Sequence, residues 1–374
     1  MTKAAELAKM GEVLTNSQIG GRRNIIVNGA MQVAQRSTSE TGKGADAGYF
    51  TVDRMYYFEN GTTDVRFTQS QSTDVPTGEG FAKSLKFDCT TADASLASDN
   101  QLVLKYRIEG QDIQQLKWGT SSAEKITLSF YIKSTKTGTF IVELSRESRK
   151  ISQAYTVSSS DTWEKKTLTF DADTGGSVIT NDSSNRLEIN YYMGVGTNYS
   201  SGTLDTAWTG GTNANRAVGQ VNVFDNTSNN ILFTGIQLEV GSQATPFEHR
   251  SFGEEEELCK RYFVKHKANS PYDRFGTGGA VTTDDAQFVF KFYPSLRTAP
   301  TLTTGTLSHL GGTNRANGAV AIGTALTIDT NSDGPLSCVV EANDYSGDPL
   351  TAGEVTHLIA NNNVAAFVAF DAEL

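Results

Sequence analysis

The chain has 374 residues, 37% of them hydrophobic, and its 32 Lys and Arg against 42 Asp and Glu give a formal net charge of −10. The longest basic runs, such as Arg22-Arg23, are too short to bind a phosphate backbone, so nucleic acid is excluded as a partner and anionic membranes are disfavoured. No apolar run reaches about 18 residues, so no membrane insertion is predicted, and the length favours two domains.

Residues 1–23 are predicted to form a short attachment helix and peptide. Leu7, Met10 and Leu14 fall at i, i+3 and i+7 among several alanines, which is the spacing of one helical face. A helix this short needs a partner surface to be stable. It either docks on another protein or bundles with copies of itself, and the alternative is a frayed terminus.

Residues 24–250 are predicted to form an antiparallel β-sandwich of the jelly-roll type. Apolar and polar residues alternate with a period close to two in roughly a dozen short segments, from NIIVNGAMQVAQ to NILFTGIQLEV, with turn residues between them. A helical turn is predicted at GQDIQQL, but no long helices alternate with the strands, which excludes a doubly wound fold. A long loop at 197–220 interrupts the pattern and is a candidate functional loop.

A linker helix is predicted within 251–267, with the helix itself at 253–263. It follows a strand containing Ile231, Phe233, Ile236, Leu238 and Val240. Its four leading glutamates and its later lysines complement the helix dipole. The glutamate run is interpreted as a solvated face.

Residues 268–374 are predicted to form a second, smaller β-sandwich domain, in which short strand patterns are divided by Gly, Asn and Asp. The final apolar run, Val364 to Phe370, predicts that this segment is tied into a sheet. No repeat of fixed period is present, so neither a solenoid nor a parallel β-helix is indicated.

Motifs that carry catalysis are scarce, and the chain is predicted not to be an enzyme. The cysteines at 89, 259 and 338 are far apart and odd in number, which fits synthesis in a reducing cytoplasm better than a disulfide framework. The four histidines lack zinc-site spacing, and no nucleophile elbow is present. Glycoside hydrolysis needs two facing carboxylates, and the sequence alone cannot select such a pair among 42 acidic residues.

No cofactor is predicted, although a structural calcium ion is considered. Asp329, Asn331 and Asp333 occupy positions 1, 3 and 5 of a partial calcium loop, but its closing Glu is missing. A hairpin turn around Asp333 explains the same residues without a metal. A second partial loop, DADTGGSVITND at 171–182, has a Gly at a ligand position.

Sugar recognition would need aromatic platforms beside polar groups, because a pyranose ring has apolar faces and a hydroxyl rim. The candidates that we single out are Tyr199, Trp208, Tyr191 and Trp163. The first two lie in the 197–220 loop, which lacks apolar periodicity. The alternative for each is a place in the core of the sandwich.

Several segments together resemble the galactose-binding-like jelly roll of carbohydrate-binding modules, as it is embedded in tail fibres and other virion proteins of bacteriophages. They are NIIVNGAMQVAQR at 24–36, YFTVDRMYYF, LKYRIEGQDIQQLKWG with KITLSFYIKS, and IQLEVGSQATPFEHR. The resemblance covers about residues 24–250. Downstream, CKRYF, YPSLRTAPTLT and FDAEL are similar to distal modules of phage fibres.

This resemblance implies a virion structural protein, synthesised in the host cytoplasm, that acts as a tail fibre or fibre-like appendage in adhesion to a host-surface glycan. It also implies a homotrimer attached to other virion proteins through its N-terminus. One alternative is a head- or collar-associated fibre or decoration protein with a purely structural role. A lesser alternative is a glycan-cleaving depolymerase, which the lack of a β-helical repeat disfavours.

Overall fold

The computed structural model describes residues 3, 23–313, 320–345 and 350–374. The chain divides into two compact units, Met1–Glu255 with Leu374, and Glu256–Glu373. This division falls inside the segment predicted as a linker. Leu7, Met10 and Leu14, the predicted attachment residues, lie outside the described residues. Within the described part of the chain, no helix has the length and apolar character needed to cross a bilayer.

The first unit contains two six-stranded antiparallel sheets. Sheet I has the order β1-β4-β5-β12-β7-β10 and sheet II the order β2-β3-β6-β11-β8-β9. The strands of sheet I are β1 Ser39–Lys43, β4 Arg66–Ser72, β5 Ser84–Thr91, β7 Ile126–Ser134, β10 Glu164–Phe170 and β12 Asn230–Val240. Those of sheet II are β2 Gly48–Tyr49, β3 Tyr56–Asn60, β6 Gln101–Glu109, β8 Gly138–Arg146, β9 Arg149–Val157 and β11 Asn185–Val195. The predicted β-sandwich of the jelly-roll class is confirmed.

The core of this unit lies between the inward faces of the two sheets and contains alternate apolar residues of strands such as β6 and β7. Phe130 from sheet I meets Tyr155 and Tyr191 from sheet II edge to face, with ring centroids 5.3 and 5.2 Å apart. Such aromatic pairs add about 1 kcal/mol each beyond the area that they bury. The predicted helical turn is also present, as 3₁₀ turns at Gly110–Asp112 and Gln114–Leu116.

The segment 24–35, which we predicted as a strand, is buried but forms no strand. Asn28 and Met31 have φ values of 61° and 58°, which a strand does not tolerate. The Asn28 amide holds the resulting turn by donating to the carbonyls of Val33 and Asp53 at 2.8 and 3.0 Å. The prediction failed because a buried turn shows the same apolar residues as a strand.

The predicted helix is present as α1, Phe252–Lys260. Its glutamate run is not wholly solvated, because Glu255 is buried and accepts hydrogen bonds from the backbone of Asn28 and from the Arg250 guanidinium. The linker prediction extended too far. Residues Phe263–Lys267 form strand β13, since the buried Phe263 begins a new ladder.

The second unit is also an antiparallel β-domain, as predicted, and its strands form a closed barrel and a small sheet where we expected two facing sheets. The barrel has the order β14-β15-β19-β18-β17-β20 and the sheet the order β13-β21-β16. The barrel strands are β14 Arg274–Ala280, β15 Ala286–Lys291, β17 Leu310–Thr313, β18 Val320–Ile328, β19 Ser337–Tyr345 and β20 Val355–Ala360. The small sheet contains β16 Thr301–Thr304 and β21 Phe367–Asp371, which confirms that the final apolar run is tied into a sheet.

Candidate functional site

A pocket of about 480 Å³ opens on the outer face of sheet I in the first unit. Three stretches of chain build it: the loop between β4 and β5, the outward side chains of β7 and β10, and the segment that follows β12. Its lining consists of Gly78, Glu79, Phe81, Tyr131, Lys165 and residues 244–247 and 249. The volume lies in the range of small-molecule sites.

The pocket floor depends on a bulge in β12. The pairing of β12 with β7 shifts register between Thr234 and Gln237, and Gly235 there has a φ of 62°. A Cβ atom on Gly235 would lie 2.6 Å from the Phe81 ring and 2.9 Å from the Tyr131 ring. Glycine therefore serves two purposes here, because it adopts the left-handed backbone and leaves room for two aromatic rings.

One wall of the pocket, residues 244–249, is anchored on polar side chains of β12. Since Leu238 points into the core, Gln237 and Glu239 point outward, where the wall covers and buries them. The Gln237 side chain accepts from the Glu248 backbone at 2.8 Å, and the Glu239 carboxylate accepts from the Thr245 backbone at 3.0 Å. These bonds fix the wall before any ligand arrives.

The wall carries two rings that stand against the floor. The Phe247 ring lies 4.9 Å from the Phe81 ring, edge to face, and the His249 ring lies 5.2 Å from Phe81 and 4.9 Å from Phe247. Phe81 is buried, Phe247 is half-buried and His249 is exposed. The pocket surface is therefore apolar around the buried Phe81 ring and more polar towards the exposed His249.

Opposite charges stand at the rim. The Tyr131 hydroxyl donates to the Glu79 carboxylate at 2.6 Å, and burial together with that carboxylate raises the pKa of Tyr131. The Lys165 ammonium lies 5.6 Å from the centroid of the Tyr131 ring. Glu79 and Lys165 are both exposed, so the rim offers a hydrogen-bond acceptor and a donor to a ligand.

Trp163, one of the four predicted ligand-binding residues, lies beside this pocket. Its indole packs against the cluster of Ala30, Phe81 and Tyr131. Its Nε1 donates to the Asp74 carboxylate at 2.9 Å. The structure thus brings one predicted residue to the site.

Tyr191 does not reach any surface. It is fully buried between the sheets, with its ring 5.2 Å from Phe130 and 5.5 Å from Phe233. Its prediction as a ligand contact is therefore corrected to a core role. Its outward neighbour Tyr192 is buried as well.

Tyr199 and Trp208 hold the long loop against the sandwich. Tyr199 is only 9% exposed, and its ring lies 5.8 Å from the guanidinium of Arg216, which pairs with the buried Glu143 at 2.7 Å. Trp208 meets Trp118 edge to face at 5.1 Å, and its Nε1 donates to the Asp171 carbonyl at 2.7 Å. The two rings anchor the loop and lie apart from the pocket lining.

The partial calcium loops are engaged by protein groups. The Asp329 carboxylate accepts from the backbone and amide of Asn331 and from Ser332, and these hydrogen bonds lower its pKa. The loop that contains Asp333 joins β18 to β19 as a hairpin. Among the residues that the structure describes, no group of three or more His, Cys, Asp and Glu is placed to hold a metal ion.

In the other partial loop, Asp173 is fully buried and pairs with Arg146 at 3.0 Å and with Arg149 at 2.9 Å. Two guanidinium groups already compensate this carboxylate, so it does not need a cation.

Sequence reasoning missed Phe81, Tyr131, Phe247 and His249. One signal was available, because Tyr131 stands between the core residues Phe130 and Ile132 and must therefore point outward. Phe81 and Phe247 lie in loops, where no periodicity shows their direction.

No protein-family model and no curated protein matches the chain. A similar solved structure is the enzymatically active domain of tailspike protein 4 of bacteriophage CBA120, with 14% identity and a TM-score of 0.31 over 58% of this chain and 21% of that chain. The carbohydrate-binding module TmCBM61, solved with β-1,4-galactotriose, has 9% identity and a TM-score of 0.28 over 59% of this chain and 99% of its own. A family 11 carbohydrate-binding module of a Clostridium thermocellum cellulosomal cellulase has 13% identity and a TM-score of 0.27 over 57% of this chain and 99% of that chain.

Proposed function

We propose that the chain is a glycan-binding structural protein and that its first unit binds sugar in the pocket on sheet I. The proposal is carried by two aromatic rings, Phe81 in the floor and Phe247 in the wall, in a pocket that a carboxylate and an ammonium group also line. The C–H face of a sugar packs on aromatic rings, and its hydroxyl groups exchange hydrogen bonds with charged side chains.

The particle context rests on the resemblance described for residues 24–250. We infer a tail fibre or fibre-like appendage of a bacteriophage that holds to a host-surface glycan. Each pocket is small, so its contact is weak, and several copies on one particle would supply the avidity. Electron microscopy of intact particles with the chain labelled separates this role from a head- or collar-associated one.

The binding experiment uses the whole chain on a panel of immobilised bacterial surface polysaccharides. We expect capture of at least one polysaccharide, and Phe247→Ala should lower its affinity about tenfold or more, because the variant removes the ring that faces the pocket. Phe252→Ala is the matched control, since Phe252 is 53% exposed in the same unit and does not line the pocket.

Capture of no polysaccharide at any density would overturn the proposal. So would equal losses in the two phenylalanine variants, because a general loss of apolar surface would then explain both. Release of reducing ends from the captured polysaccharide would replace the adhesin with the depolymerase alternative.

A further inference from the structure

The pocket continues along sheet I to a second aromatic position. Trp163 directly precedes β10 and is two residues from Lys165, which lines the pocket. Side chains two residues apart on a strand lie on the same face, about 7 Å apart. Trp163 and the pocket also share one apolar cluster through Phe81 and Tyr131.

Polar contacts fix the edge of the Trp163 indole. The Asp74 carboxylate accepts from its Nε1 and from the Lys133 ammonium, each at 2.9 Å. Lys133 also pairs with Asp161 at 3.0 Å. Burial opposes ionisation of Asp74, but the hydrogen bonds from Lys133 and Trp163 outweigh it and lower the pKa of Asp74. The half-buried ring is therefore held beside ionised groups, as the pocket rings are.

One loop borders both positions. The β4–β5 loop supplies Asp74 to the Trp163 end and supplies Glu79 and Phe81 to the pocket. In the opposite direction along β10, the next outward residue is Thr167, which is exposed and carries no ring. The aromatic surface thus extends from the pocket in one direction.

We propose that Trp163 forms a second sugar subsite continuous with the pocket, so that the ligand is a stretch of at least two sugars within a polysaccharide chain. This inference rests on the proposed function. A site for a single sugar needs no aromatic platform beyond its rim at Lys165, whereas a chain that leaves the pocket along β10 would cross the Trp163 ring.

The test measures affinity against chain length by calorimetry. The ligands are size-graded oligosaccharides cut from the polysaccharide that the intact protein captures, together with its component monosaccharides. We expect the unchanged protein to bind the disaccharide or a longer fragment about tenfold or more tightly than any monosaccharide. Trp163→Ala should abolish this gain in affinity with chain length, whereas Phe247→Ala should weaken the binding of every ligand, the monosaccharides included.

Two further variants isolate the cause. Trp163→Phe keeps a ring but loses the bond to Asp74, and it should recover most of the length dependence. Thr167→Ala, on the ringless side of Lys165, should change nothing. Melting temperatures will check that each variant is folded. If Trp163→Ala does not fold, the length dependence of the unchanged protein still tests the subsite, because equal affinity for monosaccharide and oligosaccharide would overturn it.

Two results would overturn the second subsite and leave the pocket standing. One is equal affinity for monosaccharide and oligosaccharide, and the other is a length gain that survives in folded Trp163→Ala. Failure of the unchanged protein to capture any polysaccharide would overturn the proposed function together with this inference.

Discussion

Gly235, whose side chain is a single hydrogen atom, leaves room for the Phe81 and Tyr131 rings in the pocket floor. Gly235→Ala should lower the free energy of unfolding by about 2–3 kcal/mol, because it adds a left-handed alanine and a collision with the Phe81 and Tyr131 rings. Sugar affinity should fall with it, since the two rings must move. Urea unfolding and calorimetry measure the two effects.

Gly219→Ala is the control for backbone strain. Gly219 has a φ of 90°, but a Cβ there would meet only Thr139 at an ordinary 3.6 Å. That variant should cost about 1 kcal/mol and leave affinity unchanged. Equal effects of the two alanines on affinity would show that the collision in the floor does not matter.

Glu188 should make the first unit sensitive to acid. Burial raises the pKa of its carboxyl, but Lys105 at 3.4 Å and Arg107 at 3.1 Å outweigh burial, and the folded pKa lies below the ordinary 4.5. A lowered folded pKa means that the carboxylate stabilises the fold above pH 4.5 and that this contribution is lost as pH falls through the folded value. Burial lowers the pKa of Lys105 in spite of Glu188, but a lysine stays protonated throughout this acidic window.

Glu188→Gln should therefore reduce the free energy of unfolding by about 1–2 kcal/mol at neutral pH and by much less at a pH of about 3. Urea titrations at both pH values check this. Glu124→Gln should have little effect at either pH, because Glu124 pairs with Lys117 at an exposed site. A Glu188→Gln loss that is the same at both pH values would contradict the electrostatic explanation.

At the scale of elements, the 197–220 loop is a structural cover whose aromatic residues face inward. Trp208→Ala should lower the melting temperature, with a loss of about 2–3 kcal/mol, because it removes the contact with Trp118 and the bond to Asp171. Affinity for the captured polysaccharide should not change. Lost affinity in a folded Trp208→Ala protein would favour the loop over the pocket as the binding site.

Strand β12 shows how far periodicity alone predicts the fold. Its core-facing residues advance by two except between Phe233 and Ile236, where the step is three, and the bulge lies there. The strand was predictable, and so in principle was its irregularity. Segment 24–35 was not, because its burial comes from contacts such as Ile25 with Leu238, far along the chain.

The site was less predictable than the fold. Tyr131 and Trp163 belong to β7 and to the entry of β10, and alternation shows that Tyr131 points outward. Phe81 and Phe247 meet only because the β4–β5 loop and the segment after β12 fold over the same sheet. Nothing in either loop sequence indicates that the two are neighbours, and loop aromatics such as Tyr199 show the same pattern while serving as anchors.

At the scale of the whole molecule, we predict that the protein is a homotrimer in solution. Light scattering should give three times the chain mass of 40.3 kDa. Binding to a dense polysaccharide surface should then exceed binding to free oligosaccharide by a factor of about 100 or more, because the copies bind together. A mass of one chain would contradict the trimer, and its surface and solution affinities should then agree.

The strand pairing of the second unit also determines when, during its synthesis, the unit can fold. Its first strand, β13, pairs with its last, β21, through Phe263 and Asp371, and β14 closes the barrel against β20. The ribosome releases the partners of β13 and β14 only after nearly all of this unit has been synthesised. Such long-range pairing is slow, so the unit should fold after translation. A chain that stops before β20 would thus yield a folded first unit followed by an unfolded remainder, which proteases remove.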